Sequence, residues 1–286
     1  MTIEVEAFFH GPTWTWSYVA IDRATGKAAI IDPVRDYDGK SGRTGHHSAD
    51  QLATFVGAQG LEVEWILETH AHADHISAAP YLRGRLGGKL AIGEGIREVQ
   101  RTFRDIFHLG DDFAADGSQF DHLFTDGEDF KVGSVSARVI ATPGHTNDSV
   151  SYLIGDAVFV GDTLFMPDGG TARCDFPGGS AERLYASIHR LYQLPPATRM
   201  FLCHDYAPGG REYKHMTTVA EQRAANIHVR DGVSADEFVQ MRTERDATLE
   251  MPALLLPAVQ VNIRAGELPE PETNGVRYLK IPVDAL

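Results

Sequence analysis

The chain contains 286 residues, of which 43% are hydrophobic and 23% are charged. This composition is typical of folded globular proteins and excludes a disordered, collagen-like or coiled-coil chain. Acidic residues outnumber basic ones by 40 to 26, which gives a formal net charge of −14 at pH 7. Because such a field repels phosphate backbones and anionic lipids, neither nucleic acid nor a membrane is an expected partner.

The first elements are predicted from three apolar stretches separated by turn residues, at residues 5–9, 14–21 and 28–31. They indicate short strands that form a β-meander. A polar loop at 36–44 contains Gly39-Lys40-Ser41, a fragment of a phosphate-binding loop. Val34 stands where that pattern requires its first glycine, so the sequence does not predict a nucleotide site. Ser48 is the predicted N-cap of the helix that follows.

Strands and helices then alternate along the chain. Residues 63–67 predict a strand that leads into a histidine-rich segment, and residues 76–86 predict the next helix. Further strands are predicted at 89–92, 129–132, 137–140, 150–154, 158–161 and 200–203, and further helices at 181–192 and 217–226. This order predicts two similar β/α halves packed sheet on sheet with helices outside, a layered α/β architecture.

A main α/β domain, which would contain any functional site, is predicted for residues 1–230 and a C-terminal extension for residues 231–286. The extension begins with a predicted helix at 236–248, and five prolines follow, namely Pro252, Pro257, Pro269, Pro271 and Pro282. Prolines at this density predict an extended tail packed on the body, with no regular helix. We expect packing from this tail and no catalytic role, and its surface would suit a homodimer.

The cellular compartment is predicted from what the sequence lacks. Only two cysteines occur, Cys174 and Cys203, too few for a disulfide-stabilised scaffold. The first six residues contain neither a basic stretch nor an apolar run of the kind that a secretion signal has. We therefore expect a cytoplasmic protein.

A dense cluster of chemically active side chains follows the strand at 63–67: His70, His72, Asp74 and His75. With 13 histidines in the 286 residues, composition alone would place far fewer than one in such a window. Imidazole and carboxylate are ligands that first-row divalent metals accept. Three single residues of the same types follow later strands, namely His145, Asp162 and His204. Because loops at strand ends present functional groups from a rigid scaffold, these side chains are predicted to form one metal site.

This His-x-His-x-Asp-His pattern, with the later histidine, aspartate and histidine, resembles that of the metallo-β-lactamase superfamily. The resemblance is complete in these positions and spans about residues 8–226. It implies an αββα sandwich with the metal site at the edges of the sheets. The superfamily includes hydrolases and redox enzymes, so the fold alone does not define the reaction.

Two segments narrow the resemblance to the persulfide dioxygenases, sulfur dioxygenases related to glyoxalase II. They are residues 171–179, Thr-Ala-Arg-Cys-Asp-Phe-Pro-Gly-Gly, and the triplet His204-Asp205-Tyr206. The loop at 39–44 and the proline-rich tail look like the longer bacterial type. Some members carry Gly-Arg-Thr where this chain has Ala172-Arg173-Cys174, which puts the role of Cys174 in question.

The resemblance implies one Fe(II) per chain, held by His70, His145 and Asp162. Two imidazoles and a carboxylate on one face of an octahedron leave three positions for other ligands. The implied substrates are glutathione persulfide and O2, and the products are sulfite and glutathione. The remaining residues of the pattern would orient ligands and water, or hold a second metal: His72, Asp74, His75 and His204.

Four residues are candidates for substrate binding: Arg173, Cys174, Tyr206 and Lys214. A guanidinium pairs with a carboxylate of glutathione and a phenol donates a hydrogen bond near the metal, so Arg173 and Tyr206 are the catalytic-site candidates. Cys174 is interpreted either as a redox-sensitive thiol near the substrate or as a small filler. Cys203 ends an apolar strand and is predicted to be a buried structural thiol.

Two other functions compete with the dioxygenase. A zinc thioester hydrolase of the glyoxalase II kind would use all seven ligands to hold two metals, and every one is present. A catalytically silent metalloprotein that senses sulfide or redox state is the third hypothesis, and no DNA-binding element or basic patch supports it. The dioxygenase is the main hypothesis and the hydrolase is the alternative.

Overall fold

The computed structural model describes residues 2–110 and 113–284, which form sixteen strands and seven α-helices. The first half contains, in chain order, β1 (Glu4–His10), β2 (Thr15–Asp22), β3 (Lys27–Ile31), β4 (Val34–Arg35), β5 (Tyr37–Asp38), β6 (Arg43–Thr44), α1 (His47–Ala58), β7 (Glu62–Leu67), β8 (Ile76–Ser77), α2 (Ala79–Leu86), β9 (Lys89–Gly93), α3 (Ile96–Ile106) and β10 (His122–Phe124). The second half contains β11 (Asp129–Val132), β12 (Val135–Ala141), β13 (Val150–Ile154), β14 (Ala157–Phe159), α4 (Ala181–Leu191), β15 (Arg199–Phe201), β16 (Met216–Thr218), α5 (Val219–Ala225), α6 (Ala235–Asp246) and α7 (Leu255–Asn262).

Two six-stranded sheets organise the molecule. The strand order is β1-β2-β3-β7-β9-β10 in the first sheet and β11-β12-β13-β14-β15-β16 in the second. The first begins with an antiparallel meander and continues through the parallel strands β7, β9 and β10. The second repeats this plan, with an antiparallel meander and then a parallel β15, before β16 returns antiparallel at its edge. The predicted repetition of two β/α halves is confirmed.

The two sheets pack against each other through one face each. Alternate residues of β3 show this arrangement, because Ala29 and Ile31 join the cluster that also contains Tyr152 and Phe159 of the second sheet. Ala28 and Ile30 point the other way and pack against helix residues such as Leu52. Because both faces of the strand are covered, all its central residues are apolar.

Helices cover the outer face of each sheet and complete an αββα sandwich. Residues of α1, α2, α3 and α7 share a cluster with the first sheet, and residues of α4, α5 and α6 share one with the second. Each layer thus buries the apolar face of its neighbour. None of the described helices combines the length and the apolar character needed to cross a bilayer.

Two predicted helix starts are wrong. A single helix was predicted over 76–86. Its first two residues instead form the short strand β8, which pairs with β4, and α2 begins only at Ala79. Pro80 explains this start, because proline is tolerated in a first turn and disrupts a helix interior. Ser48 lies inside the first turn of α1 and does not cap it. Instead Asp36, outside the helix, accepts hydrogen bonds from the Ser48 backbone N at 3.0 Å and hydroxyl at 2.8 Å.

The C-terminal extension differs in part from the prediction. The helix predicted at 236–248 is confirmed as α6, but the expectation that the prolines exclude any later helix is wrong over Leu255–Asn262. Pro257 is compatible with α7 because it lies in the first turn, where backbone N–H groups have no partner within the helix. From Ile263 to residue 284 no helix or strand follows, and residues 285 and 286 of the predicted tail lie outside the described residues. The domain boundary at residue 230 stays a prediction.

Candidate metal centre

The residues of the predicted site lie in loops at one edge of the sandwich, each shortly after a strand ends. The clustered four follow β7, and the single ones follow β12, β14 and β15: His70, His72, Asp74, His75, His145, Asp162 and His204. All are at most 8% exposed except Asp74, whose side chain is 24% exposed. The fold therefore brings these residues together, in two groups that share one carboxylate.

The first group consists of His70, His145 and Asp162, whose ligand atoms all lie within 4.8 Å of one another. Oδ2 of Asp162 is 3.8 Å from Nε2 of His70 and 3.6 Å from Nε2 of His145. Among the described residues, nothing makes a hydrogen bond to the buried Nε2 of His70. A buried polar atom of this kind requires a partner, and a divalent cation fits a donor set of two imidazoles and a carboxylate.

The second group consists of His72, Asp74, His75 and His204. Nε2 of His204 is 3.1 Å from Oδ2 of Asp74 and 3.3 Å from Oδ1 of Asp162. Within the described part of the chain, Nε2 of His204 and both ring nitrogens of His75 lack a hydrogen-bond partner. Asp162 therefore turns one carboxylate oxygen toward each group, so the donor set fits one or two metal ions.

Backbone carbonyls orient two of the imidazoles. Nδ1 of His145 donates to the carbonyl of Arg173 at 2.8 Å, and Nδ1 of His204 donates to the carbonyl of Trp14 at 3.3 Å. A carbonyl only accepts, so the proton of each neutral ring lies on Nδ1 and the lone pair of Nε2 faces the site. Such outer contacts set the tautomer that metal binding requires.

Asp32 and Glu68 were not predicted as site residues, yet they hold the other histidines. Nε2 of His72 is 3.0 Å from Oδ1 of Asp32 and 3.5 Å from Oε2 of Glu68. Although burial opposes the charge, these carboxylates hold the pKa of His72 above its ordinary value. Thr69 donates its hydroxyl proton to Asp32 at 2.9 Å, which leaves its oxygen to accept from Nδ1 of His70 at 3.1 Å.

Asp32 also has an unusual backbone conformation, with φ of +48°. A non-glycine residue adopts this left-handed region only where its surroundings enforce it, and such strain is common at functional sites. Here the backbone N of Thr69 donates to Oδ1 of Asp32 at 2.7 Å and adds to the contacts of that carboxylate. The signal for Asp32 was available in the sequence, because it directly follows the apolar strand β3, as Asp162 closely follows β14.

Asn262, at the end of α7, was missed as well. Its amide nitrogen donates to the carbonyls of His72 and His75, at 2.8 Å each. Its Oδ1 accepts from the backbone N of Ser77 at 2.9 Å. The C-terminal extension therefore supports the histidine loop directly, and no local sequence signal points to this role.

A cavity of about 550 Å³ opens beside the ligands. Its size lies within the range of about 300–1,000 Å³ that is typical of small-molecule sites. Its wall includes two predicted ligands of the first group, His145 and Asp162. Aromatic side chains form another part of the wall: Trp14, Phe165, Phe176 and Tyr206. The C-terminal extension contributes Leu249, Glu250, Pro252, Ala253 and Leu254. The expectation that the extension only packs on the body is therefore too narrow.

Arg173 and Tyr206, predicted for substrate binding, both line this cavity. The Arg173 guanidinium donates from Nε and Nη2 to the Asp175 carboxylate, at 2.6 Å each, and from Nη1 to the Glu250 carbonyl at 2.7 Å. Part of its hydrogen-bonding capacity is thus already used by the protein. The Tyr206 ring is half exposed and nearly parallel to the His204 ring, with 5.9 Å between centroids.

Cys174 and Lys214 are not among the described residues that line the cavity. Cys174 is buried within the cluster beneath the second sheet, and burial raises the pKa of its thiol to about 12. A thiol that stays protonated is a poor nucleophile, which favours the filler interpretation over the redox one. Lys214 is exposed, and its backbone N donates to Asp205 at 2.6 Å. Cys203 is 2% exposed, as predicted for a buried structural thiol.

Comparison with known proteins defines the family. Residues 11–204 match the metallo-beta-lactamase superfamily. The chain is 56% identical over 292 residues to a probable metallo-hydrolase of Burkholderia pseudomallei (strain 1710b), covering 99% of each chain. It is 54% identical to glyoxylase B2 of Dictyostelium discoideum, covering 99% of this chain and 98% of the relative. The chain therefore belongs to the metallo-β-lactamase superfamily, and the predicted fold is confirmed.

More distant relatives carry a different activity in their names. The mitochondrial persulfide dioxygenase ETHE1 of Bos taurus is 29% identical, over 90% of this chain and 87% of its own. The crystal structure of ETHE1 from Myxococcus xanthus superimposes with a TM-score of 0.73 at 31% identity, covering 93% of this chain and 100% of the other. The chain thus resembles both metallo-hydrolases and persulfide dioxygenases.

Proposed function

We propose that the protein is a non-haem Fe(II) persulfide dioxygenase that oxidises glutathione persulfide with O2 to sulfite and glutathione. The observation that carries this proposal is the separate group of His70, His145 and Asp162, to which His72 does not belong. Two imidazoles with one carboxylate are the donor set of non-haem iron oxygenases. Its similarity to the ETHE1 proteins gives independent support.

The position of the cavity suits this chemistry. Ferrous iron held by His70, His145 and Asp162 would bind O2 and the persulfide sulfur and would exchange electrons with both. His145 and Asp162 line the cavity, so a substrate in the cavity would lie beside these two residues. Trp14, Phe165 and Phe176 form an aromatic wall that offers the persulfide an apolar surface.

Arg173 and Tyr206 would position the glutathione part of the substrate. The guanidinium of Arg173 has five N–H donors, of which three donate to oxygen atoms of the protein and a fourth contacts the Met251 sulfur at 4.0 Å, so one remains for a carboxylate of glutathione. The phenol of Tyr206 would donate a hydrogen bond to the substrate beside His204, whose ring it faces. Both residues act on the substrate and neither is a direct ligand in this proposal.

A zinc thioester hydrolase is the second candidate, favoured by one specific observation. Asp162 directs Oδ2 to the first group and Oδ1 to the second, as a carboxylate that bridges two metals would. A two-metal site generates a hydroxide nucleophile, which suits hydrolysis of a glutathione thioester. The names of the Burkholderia and Dictyostelium relatives agree with this alternative.

Oxygen uptake distinguishes the two candidates. Protein loaded anaerobically with Fe(II) is mixed with glutathione persulfide in a closed electrode cell, and sulfite is measured in the same sample. Rapid uptake with matching sulfite, abolished by His145→Ala, supports the dioxygenase. If iron-replete protein consumes no O2 and zinc-loaded protein cleaves a glutathione thioester, the hydrolase replaces it.

A further inference from the structure

A chain of hydrogen bonds leads away from the metal centre on the side of the second group. Oγ1 of Thr15 is 3.4 Å from Nδ1 of His204 and 2.8 Å from Oγ1 of Thr13. Oγ1 of Thr13 is in turn 2.7 Å from Nδ1 of His10. Nε2 of His10 faces Oδ1 of Asp36 at 3.5 Å, and this carboxylate is 28% exposed. The chain therefore joins a buried ligand to a partly solvated carboxylate.

The donors in this chain all point the same way. Nδ1 of His204 carries its proton, because the carbonyl of Trp14 beside it only accepts. The Thr15 hydroxyl is then free to donate to Thr13, where Oγ1 at 2.8 Å is a closer acceptor than the backbone oxygen at 3.3 Å. The Asp36 carboxylate favours a proton on Nε2 of His10, so Nδ1 of His10 accepts from the Thr13 hydroxyl.

Thr13 gives this chain access to the substrate. Thr13 lines the cavity, whereas His10 is only 8% exposed and is not among the described residues of the cavity wall. A hydroxyl that faces a cavity and is backed by a histidine and then a carboxylate has the order of groups found in proton-transfer triads. Neither Thr13 nor His10 belongs to either group of candidate metal ligands.

The proposed reaction needs a route for protons. One persulfide, one O2 and one water yield one glutathione and one sulfurous acid, which ionises near neutral pH. The glutathione thiolate released in the hydrolytic step must gain a proton, and the water that bonds to the oxidised sulfur must lose one inside the buried site. Since the metal ligands themselves must stay deprotonated to bind the metal, another group has to accept that proton.

We propose that Thr13 and His10 form a proton relay that removes a proton from the water consumed in the last, hydrolytic step. This proposal rests on the proposed dioxygenase function. As the water oxygen forms its bond to the oxidised sulfur, the S–S bond breaks, and its electron pair leaves with the glutathione sulfur as a thiolate that takes up a proton from solvent. One O–H bond of the water breaks in the same step, and its proton passes to Oγ1 of Thr13. The hydroxyl proton of Thr13 passes to Nδ1 of His10, and the resulting imidazolium faces Asp36. No electron is transferred in this step.

The surroundings of His10 suit an acceptor that starts neutral. Burial lowers the pKa of His10, while the carboxylates of Asp36 and Asp74 act in the opposite direction. Although burial acts in the opposite direction, hydrogen bonds from Ser48 and the nearby His10 and His47 hold the pKa of Asp36 below its ordinary value. His10 is therefore neutral at neutral pH. When His10 accepts a proton, the Asp36 carboxylate beside it stabilises the resulting imidazolium.

Steady-state kinetics test the relay with a matched pair. Thr13→Val keeps the shape of the side chain and removes the hydroxyl, whereas Thr13→Ser keeps the hydroxyl. With iron content unchanged, we expect Thr13→Val and His10→Gln to lower kcat about tenfold or more, within the range of general acid–base effects, with KM changed less than about twofold. Thr13→Ser should retain most of the activity, and His122→Gln, a histidine on β10 paired with Glu128, serves as the remote control.

The pH profile separates a relay from a structural role. In the wild type kcat should fall at acid pH as His10 becomes protonated, and His10→Gln should lose this acid limb. An unchanged kcat in Thr13→Val, or an acid limb that persists in His10→Gln, overturns the proposal.

A second readout does not depend on dioxygenase activity. In protein loaded with diamagnetic zinc, ¹⁵N NMR of the histidine rings should show His10 with its proton on Nε2 and with an Nδ1 that accepts a hydrogen bond. Thr13→Val should shift the Nδ1 resonance of His10. A proton found on Nδ1 overturns the relay, even if the wild type consumes O2. Absence of O2 uptake by wild-type protein, with the expected His10 signals intact, would instead reject the proposed function and leave the hydrogen-bond chain in place.

Discussion

The two ligand groups share Asp162 but differ in the charge of the atoms that hold them. In the first group, the outer nitrogens of His70 and His145 bond to a hydroxyl and a backbone carbonyl, which are neutral. In the second group, His72 is held by the carboxylates of Asp32 and Glu68, and Asp74 adds a further carboxylate among the ligands.

This difference has a chemical consequence for substrate binding. A divalent ion on the first group would keep net positive charge, because one carboxylate neutralises only half of it. Such a centre attracts an anionic persulfide. The second group concentrates buried negative charge and would offer an anion less attraction. The comparison therefore favours substrate binding at the first group.

The shared carboxylate should have the largest effect. Asp162→Ala removes an oxygen from both groups, so metal content and O2 uptake should fall together. The loss should exceed the factor of about 10–100 that typically follows when only an outer partner of a ligand is removed. Metal analysis by mass spectrometry and the oxygen electrode measure the two quantities. A variant that keeps full iron would show that neither group depends on this carboxylate.

A matched histidine pair tests which group binds the iron. His145→Ala should abolish iron binding and O2 uptake, because it removes a first-group ligand. His204→Ala should keep one iron per chain and at least about a tenth of the activity, the effect expected of an outer group. Circular dichroism controls for folding. If His204→Ala instead loses the iron while His145→Ala retains it, the assignment of the two groups is reversed.

The outer carboxylates should have an intermediate effect. Asp32→Asn weakens the contact to His72 and the support that Thr69 gives to His70, so metal affinity should fall about tenfold. Glu68→Gln, at the longer distance of 3.5 Å from His72, should have a smaller effect. Competition with a chelator measures both affinities. Equal affinities in Asp32→Asn and the wild type would show that this carboxylate does not tune the metal site.

Arg173→Ala should affect the substrate and leave the iron in place. Loss of one charge-assisted hydrogen bond should raise KM about tenfold. Iron content should stay unchanged, because His145 is held by the backbone carbonyl of Arg173, which the variant retains. Arg173→Lys is the charge-preserving control. Loss of iron in Arg173→Ala would contradict the assignment of its side chain to substrate binding.

His228 should have the smallest effect, and only at acid pH. The backbone N of Thr171, two residues before the carbonyl that holds His145, donates to Nδ1 of His228 at 3.0 Å. Burial lowers the pKa of His228 to about 4 from its ordinary 6.5. The unfolded chain therefore takes up the proton first, and the folded state loses stability as pH falls from 6.5 towards 4.

The variant His228→Gln lacks this titration. Its Tm should decline less than that of the wild type over the same pH window, by about 2 °C, as expected for a change near 1 kcal/mol in a chain of this size. Calorimetry at matched metal loading provides the measurement. Parallel declines in Tm would show that His228 is solvated in the folded state.

The parts of the fold that were predicted from the sequence depend on local patterns. The opening meander and the ligands after β7, β12, β14 and β15 follow from apolar strands that end in histidine or aspartate. Helix α3 was overlooked although Ile96, Val99 and Phe103 are buried at helical spacing. Asp32 was likewise overlooked at the end of β3. Both α3 and Asp32 could therefore have been predicted from the sequence.

Other parts could not be predicted, because they depend on contacts between distant residues. Asn262 bonds to carbonyls 190 and 187 residues away, and a lone asparagine near prolines gives no sign of this. The backbone N of Ser48, in the first turn of α1, donates to the carboxylate of Asp36, which lies outside the helix. The usual N-cap pattern therefore predicted the wrong residue. Such contacts exist only after the layers have packed.

The contacts of Asn262 set an order of events during synthesis of the protein. The histidine loop leaves the ribosome early, but two of its carbonyls find their partner only when α7 has also emerged. Until then four of the seven candidate ligands lie on a loop that is not yet fixed, among them His70 of the first group. We therefore expect that metal capture by the growing chain is weak, and that the site gains its full affinity only when synthesis is nearly complete.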